Sequence, residues 1–393
     1  MGPRILWANL YCLLDRSSGA SMSVREQLLA LAMQGFDIRI LGATVFDVAE
    51  GAEVLGATWD RIREHKGRRV EIKDGPLTHE LLVTCSTQRG ELLAREEFAW
   101  YQSYREAIKT FKPDIVYYYG GLPFDFLIAD EARHAGAKVA FYLSNGNYRA
   151  ARWHRDIDLI MTDTQATAEL YAGRLGINVK PVGKFIDRRM VVASEHDRRH
   201  VLFVNPSYAK GGALVARLAI LMEQRRPDIM FEVVQSRGGW DEVKDHAFRC
   251  HGEERRLLRN VIVSPLSTDM RPIYGRARLL LAPSLWWESG GRVIVEALMN
   301  GIPAIITTKG GAPEVQGGAG TQVSLHETLY EPPYTRLPAD EALLALVEEI
   351  ERIFDDENAY QAMSRQALHV AEVKHNLQRN AENLAATLRS LVG

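Results

Sequence analysis

The stretch Ala282-Pro283-Ser284-Leu285-Trp286-Trp287-Glu288-Ser289-Gly290-Gly291-Arg292-Val293-Ile294-Val295-Glu296-Ala297-Leu298-Met299-Asn300-Gly301-Ile302-Pro303 decides the reading of this chain. It follows the apolar run Leu279–Ala282, which reads as a buried strand. Gly290-Gly291 then opens a helix, and Gly301-Ile302-Pro303 ends that helix before a further strand at Ala304–Thr307. Glycines at a helix start let a ligand approach free backbone N–H groups, and the positive end of the helix dipole favours a phosphate. Glu288 and Glu296 bracket the helix start. Ionised carboxylates accept hydroxyl hydrogens, so two of them suit two parts of a polyhydroxylated ligand. The bland alternative, two solvated glutamates on a helix, does not account for the glycines between them or the Pro-Ser turn before them.

Outward from this segment, short apolar runs alternate with helix-length amphipathic stretches. In the first half, strands are expected at Ile5–Leu10, Phe36–Leu41, Ile115–Tyr119, Lys138–Leu143, Leu159–Thr162 and Val179–Val182. Further strands are expected at Val70–Ile72 and Leu81–Thr84. Residues 17–21 read as a polar turn, Val24–Met33 and Glu91–Phe111 as helices, and Gly35 as a left-handed helix end. In the second half, His200–Val204, Met230–Gln235 and Val261–Ser264 read as strands. Strands separated by single helices need crossovers, the mark of parallel α/β sheets. Asp187–His200, charged and poor in apolar residues, reads as a linker. The expected domains are 1–185, 186–366 and a helix over 367–393 that returns to the first domain. Leu368, Val373, Leu377, Leu384 and Leu388 are its packing residues.

The 393 residues have 46% hydrophobic and 25% charged residues, an ordinary globular composition. Lys+Arg is 48 against Asp+Glu 50, so no basic field points to nucleic acid. Cys12, Cys85 and Cys250 form no CxxC, which excludes a zinc ribbon and suits a reducing compartment. Met1-Gly-Pro-Arg runs directly into an apolar strand without a signal-peptide pattern, and no apolar run is long enough to span a bilayer. The expectation is a cytoplasmic protein, with peripheral attachment at the inner membrane face left open. GxGxxG after the first strand, a Walker A motif, GxSxG and HExxH are all absent. Asp156-Ile157-Asp158 spells DxD but precedes its strand, whereas ligands bind beyond strand carboxyl ends.

The segment around Glu288 and Glu296 resembles the E-x7-E region of retaining, family 4-like glycosyltransferases (glycosyl transferases group 1). The resemblance runs from about His200 to Gly320. It implies a GT-B fold: two facing Rossmann-like domains with the nucleotide-sugar cleft between them. It further implies transfer of a sugar from a UDP- or GDP-sugar to a glycan, lipid-linked glycan, protein or other hydroxyl acceptor, as in polysaccharide biosynthesis, without metal or cofactor. By this resemblance Glu288 faces the donor sugar and Glu296 the ribose, while Gly290, Gly291 and Arg292 lie near the diphosphate.

The same resemblance covers Phe203-Val204-Asn205-Pro206-Ser207-Tyr208-Ala209-Lys210-Gly211-Gly212. Lys210 matches the Lys-Gly whose cation faces the diphosphate. Asn205-Pro206 stands where the family carries Arg, and Arg237 or Arg292 is a replacement. Ser207, Leu266 and Gly19 complete the donor-side set implied by the resemblance. Leu143–Tyr148 lacks the family's histidine; Asn145 and Tyr119 are the acceptor-side candidates. Core packing is the competing reading for the run Tyr117-Tyr118-Tyr119. Two basic segments, Arg61–Arg69 and Arg149–Arg155, suit an anionic lipid or glycan, or simply solvent. Two other readings remain open: a sugar-nucleotide epimerase using the same site, and a noncatalytic member of a glycan-synthesis complex.

Overall fold

The computed structural model describes residues 2–148 and 152–393. The chain divides into one unit of Met1–Phe185 with Leu377–Gly393 and a second of Ile186–Asn376. The first unit's strands are β1 (Arg4–Ala8), β2 (Asp37–Ala43), β3 (Arg69–Asp74), β4 (Leu77–Leu82), β5 (Ile115–Tyr118), β6 (Lys138–Leu143), β7 (Leu159–Thr162) and β8 (Val179–Pro181). They lie in the order β3-β4-β2-β1-β5-β6-β7-β8. Every pairing is parallel except the β3–β4 hairpin at one edge.

The second unit holds β9 (His200–Val204), β10 (Phe231–Val234), β11 (Val261–Ser264), β12 (Ala277–Ala282), β13 (Ala304–Thr307) and β14 (Gly320–Val323). Their order is β11-β10-β9-β12-β13-β14, parallel throughout.

Central strands of this kind are buried on both faces, which is why they read as continuous apolar runs. Successive side chains go to opposite faces, and the cores record it. Leu6 and Ala8 of β1 enter one core of the first unit, Ile5 and Trp7 the other. In the second unit Val201 and Phe203 pack on one face, with Leu202 on the other. Leu279 and Leu281 against Leu280 repeat the split in β12. The tyrosine run follows the same rule: Tyr118 joins one core, and Tyr117 and Tyr119 join the other.

Local expectations are corrected in several places. The first helix is Gly19–Met33, because the Ser18 side chain accepts from Ser21 N at 3.3 Å and caps it. A polar Ser-Gly-Ala-Ser start has no apolar period to announce it. The next long helix begins at Ala94, where Glu96 turns back to accept from Leu93 N (3.0 Å) and Cys85 N (2.6 Å). Gly35 is left-handed, at φ 85. The charged 187–200 segment is not a free linker. It contains the helix Arg188–Val191, capped by Asp187, and is pinned by Asp197 N to Gly275 O (2.7 Å) and Arg199 N to Arg276 O (2.8 Å).

The tail also differs. Instead of one returning helix from Ala367, there is a helix Glu357–Lys374, a break at His375–Asn376, and a helix Leu377–Val392. Ala367, Val370 and Ala371 pack in the second unit, while Ala381, Leu384, Ala385 and Leu388 pack in the first. Leu368 and Val373, expected to bury, are exposed. Thus the chain passes to the first unit at Leu377, where the new apolar stripe begins.

Candidate active site

In the second unit, β9 lies between β10 and β12. The chain leaves β9 toward β10 and returns on its other side as β12. The helix after β9, Gly212–Arg225, packs on one face through Leu214, Val215 and Leu218. The helix after β12, Arg292–Met299, packs on the opposite face through Ile294, Val295 and Leu298. Two connections diverging to opposite faces open a crevice at the strands' carboxyl ends, where ligands bind in such sheets. Those connections, 205–211 and 283–291, are the two segments singled out in the sequence.

The loops hold each other closely. Leu285 N and Trp286 N both donate to Ala209 O, at 2.9 and 3.2 Å. Gly211 sits at φ 84, and a Cβ there would lie 2.4 Å from Pro283 O. Only glycine allows this backbone conformation together with this approach. A third loop, after β13, fixes the Glu288 backbone. Gly311 N donates to Glu288 O at 2.8 Å, and a Cβ on Gly310 (φ 71) would meet that oxygen at 2.5 Å.

Side chains converge on this frame. Lys210 Nζ pairs with Glu288 Oε1 at 2.6 Å, and the Ser284 hydroxyl donates to the same oxygen. The ammonium also lies 5.4 Å from the centroid of the Trp286 ring, within cation–π range. A carboxylate and an indole face therefore hold the Lys210 charge at the mouth of the crevice.

Glu296 has two charge-assisted or buried donors. Arg292 Nε reaches Oε1 at 2.5 Å, and the Tyr274 hydroxyl reaches Oε2 at 2.6 Å. Tyr274 is fully buried, and burial, reinforced by the adjacent carboxylate, drives its pKa well above the ordinary value. It therefore remains a donor. Tyr274 was not among the residues drawn from the sequence, where the helix Arg271–Arg276 shows only an apolar face. Arg292, expected near the diphosphate as a replacement cation, has its Nε turned onto Glu296.

The remaining donor-side candidates line the same carboxyl edge. Asn205 takes a left-handed conformation (φ 65), and its Oδ1 accepts from Gly238 N at 3.3 Å, joining the loops after β9 and β10. Ser207 works through its backbone, its carbonyl accepting from Lys210 N and Gly212 N. Arg237 lies on the loop after β10, and Leu266 just past the end of β11. Gly290 and Gly291 precede the helix Arg292–Met299, whose first turn has no side-chain cap.

In the first unit the order reverses between β1 and β5. Gly19 begins the helix after β1, and a Cβ there would meet nothing within 4 Å. Tyr119 is buried, with its hydroxyl 2.8 Å from Ser21 Oγ and its ring stacked on Tyr11, so it serves the core, against its acceptor-side reading. Asn145 shapes its own loop, with Oδ1 accepting from Asn147 N at 2.9 Å. Of the second basic segment, Arg149 lies outside the described residues. Asp158 of the DxD accepts from Val139 N (2.8 Å) and pairs with Arg133 (3.2 Å) at the strand entry. Among the described residues there is no group of three or more His, Cys, Asp or Glu able to hold a metal, and no helix long and apolar enough to cross a membrane.

Residues 189–370 match the family model of glycosyl transferases group 1. A curated relative, spore coat protein SA of Bacillus subtilis (strain 168), is 26% identical over 193 residues, 48% of this chain. The match spans about half of that relative's length, 48%. Solved structures are similar over nearly the whole chain. Sucrose-phosphate synthase from Thermosynechococcus elongatus aligns with TM-score 0.72 and 14% identity, covering 100% of this chain and 99% of its own. HepE of Anabaena, solved with UDP-glucose, aligns with TM-score 0.68 and 18% identity, covering 99% and 100%. A glycosyltransferase from Rickettsia africae ESF-5 aligns with TM-score 0.69 and 14% identity, covering 100% and 99%. The fold is GT-B.

Proposed function

We propose that this protein, whose residues 189–370 match the family model of glycosyl transferases group 1, moves a sugar from a nucleotide diphosphate onto a hydroxyl acceptor, with retention at the anomeric carbon. The observation that carries the reading is the Lys210–Glu288 pair, 2.6 Å apart at the switch point of the second sheet. The acceptor is a glycan, a lipid-linked glycan or a protein hydroxyl. UDP-sugars are the first donors to test, because HepE, which shares the fold, was solved with UDP-glucose.

Breaking the bond between the anomeric carbon and the phosphate oxygen places negative charge on the departing diphosphate. An ammonium has three N–H donors. With one on Glu288, Lys210 keeps two for phosphate oxygens. The side-chain-uncapped amides at the start of Arg292–Met299 add a positive dipole end at the same edge. Fixed charges and dipoles of this kind stabilise developing charge without reorganising, which is the largest single contribution in many enzymes. Glu288, held by Lys210 and Ser284, is set to receive sugar hydroxyls, and Glu296 those of the ribose. Attack on the face the diphosphate leaves, with a phosphate oxygen taking the acceptor proton, gives retention without a protein base. No metal is needed for charge neutralisation in this scheme.

The test is turnover. Purified protein is incubated with UDP- and GDP-sugars, with and without oligosaccharide or lipid-extract acceptors, with and without EDTA. Acceptor-dependent release of nucleotide diphosphate that survives EDTA is expected. An epimerised donor formed without acceptor would replace the reading by an epimerase. Tight nucleotide binding with no product under any acceptor would replace it by a noncatalytic role.

A further inference from the structure

We infer that Tyr274 is a positioning residue for ribose recognition: its hydroxyl, donated to Glu296 Oε2, fixes the carboxylate that receives the cis-diol of a nucleoside diphosphate. This rests on the reading of Glu296 as the ribose contact.

The inference begins with the number of sites on a carboxylate. Its two oxygens offer about four lone-pair positions. Tyr274 takes one on Oε2 at 2.6 Å, and Arg292 takes one on Oε1 at 2.5 Å. One position is left on each oxygen, the number that two neighbouring hydroxyls require. A carboxylate held by one donor would keep rotating about its last bond; donors on both oxygens from different elements stop it.

The backbone is fixed as well. Asn300 Nδ2 donates to Glu296 O (2.8 Å) and to Val191 O (3.0 Å), and Asn300 Oδ1 accepts from Ala193 N (2.9 Å). Glu296 is thus held at its main chain and at both carboxylate oxygens. The hydroxyl of Tyr274 serves nothing that phenylalanine would not serve better in a purely apolar core, since burying a hydroxyl is costly unless it is bonded. Its bond goes to the carboxylate of Glu296, on the helix that begins after the carboxyl-end loop of β12.

Two ligands separate positioning from packing. UDP or GDP carries the diol; the 2′,3′-dideoxy nucleoside diphosphate lacks it and keeps the base and both phosphates. Calorimetry on the wild type should show the dideoxy form binding about 10- to 100-fold more weakly, the range for hydrogen bonds to a charged group. In Tyr274→Phe, affinity for the full nucleotide should fall about tenfold while the dideoxy affinity stays, so the ratio shrinks by that factor. Equal losses for both ligands, or none for either, would overturn the positioning role. Arg292→Met gives the same comparison from the other oxygen if Tyr274→Phe does not fold. A ratio unchanged in that variant also counts against the inference. A wild type that binds nucleotides but ignores the diol sinks the Glu296 reading and this inference with it, and leaves the proposed function standing. A wild type that binds no nucleotide diphosphate sinks the proposed function.

Discussion

Lys210 and Glu288 come from different crossover loops, after β9 and after β12, and their charged groups meet at 2.6 Å. Each side chain is mostly buried, with 24% and 15% of its surface exposed. Removing either charge leaves the other poorly solvated, so the two act as a unit rather than as independent contributors.

Lys210→Met should reduce turnover about 10²–10³-fold while raising the apparent donor KM much less. The leaving diphosphate gains charge in the transition state, so a fixed ammonium binds it differentially. Lys210→Met/Glu288→Gln should lose less than the two single losses combined. Steady-state kinetics on the four proteins measures the coupling; full additivity would show that the pair does not act together.

Two glycines should behave oppositely. Gly211→Ala forces a Cβ at φ 84 against Pro283 O, at 2.4 Å, and should cost about 1–3 kcal/mol of stability together with activity. Gly19→Ala enters open space at the start of a helix, so the thermal midpoint should hold or rise. Its donor affinity should nevertheless fall where a diphosphate approaches that backbone. Unchanged affinity would remove Gly19 from the donor site.

Glu296→Gln should weaken nucleotide binding by about 1.5–3 kcal/mol, because an ionised acceptor exceeds an amide. Isothermal titration with UDP and GDP reads this directly. A folded variant of undiminished affinity would end the ribose assignment.

Asp125 sets a pH dependence of stability. Burial raises its pKa from 3.8 to about 6, against the opposing amides of Leu122 and Gly121, each 2.9 Å from Oδ2. The folded pKa lies above the unfolded one, so the native state binds more protons between them. Stability from this group therefore falls as pH rises from about 4 to about 6 and is level above that. Asp125→Asn keeps an acceptor for both amides and removes the titration. Its stability advantage over the wild type should grow across that window and reach at most about 3 kcal/mol. Melting curves from pH 4 to 8 test it; a constant difference would contradict the shift.

Local signals carried much of the architecture. Val116 and Tyr118 on one face, with Ile115 and Tyr117 on the other, make an apolar run that reads as a doubly buried strand. Helix starts were harder where a polar cap preceded the apolar period, as at Ser18. The helix break at His375–Asn376 was hidden because apolar residues continue on both sides of it, and only their destinations differ.

What the sequence determined by itself is the strands through β13, the two glycine-bearing loops, and the positions of Lys210, Glu288 and Glu296 within them; the short polar edge strand β14 (Gly320–Val323) carries no apolar run to announce it. Apolar period, glycine and turn chemistry are local properties, legible over ten or twenty residues. Tertiary structure alone decided the partners: Lys210 on Glu288, Arg292 and Tyr274 on Glu296, Tyr119 into the core. These depend on β9 lying beside β12 and on the helix before β12 packing under the helix after it. No stretch of sequence encodes that adjacency, because it is set by which crossovers bury the most apolar surface on both faces of the sheet.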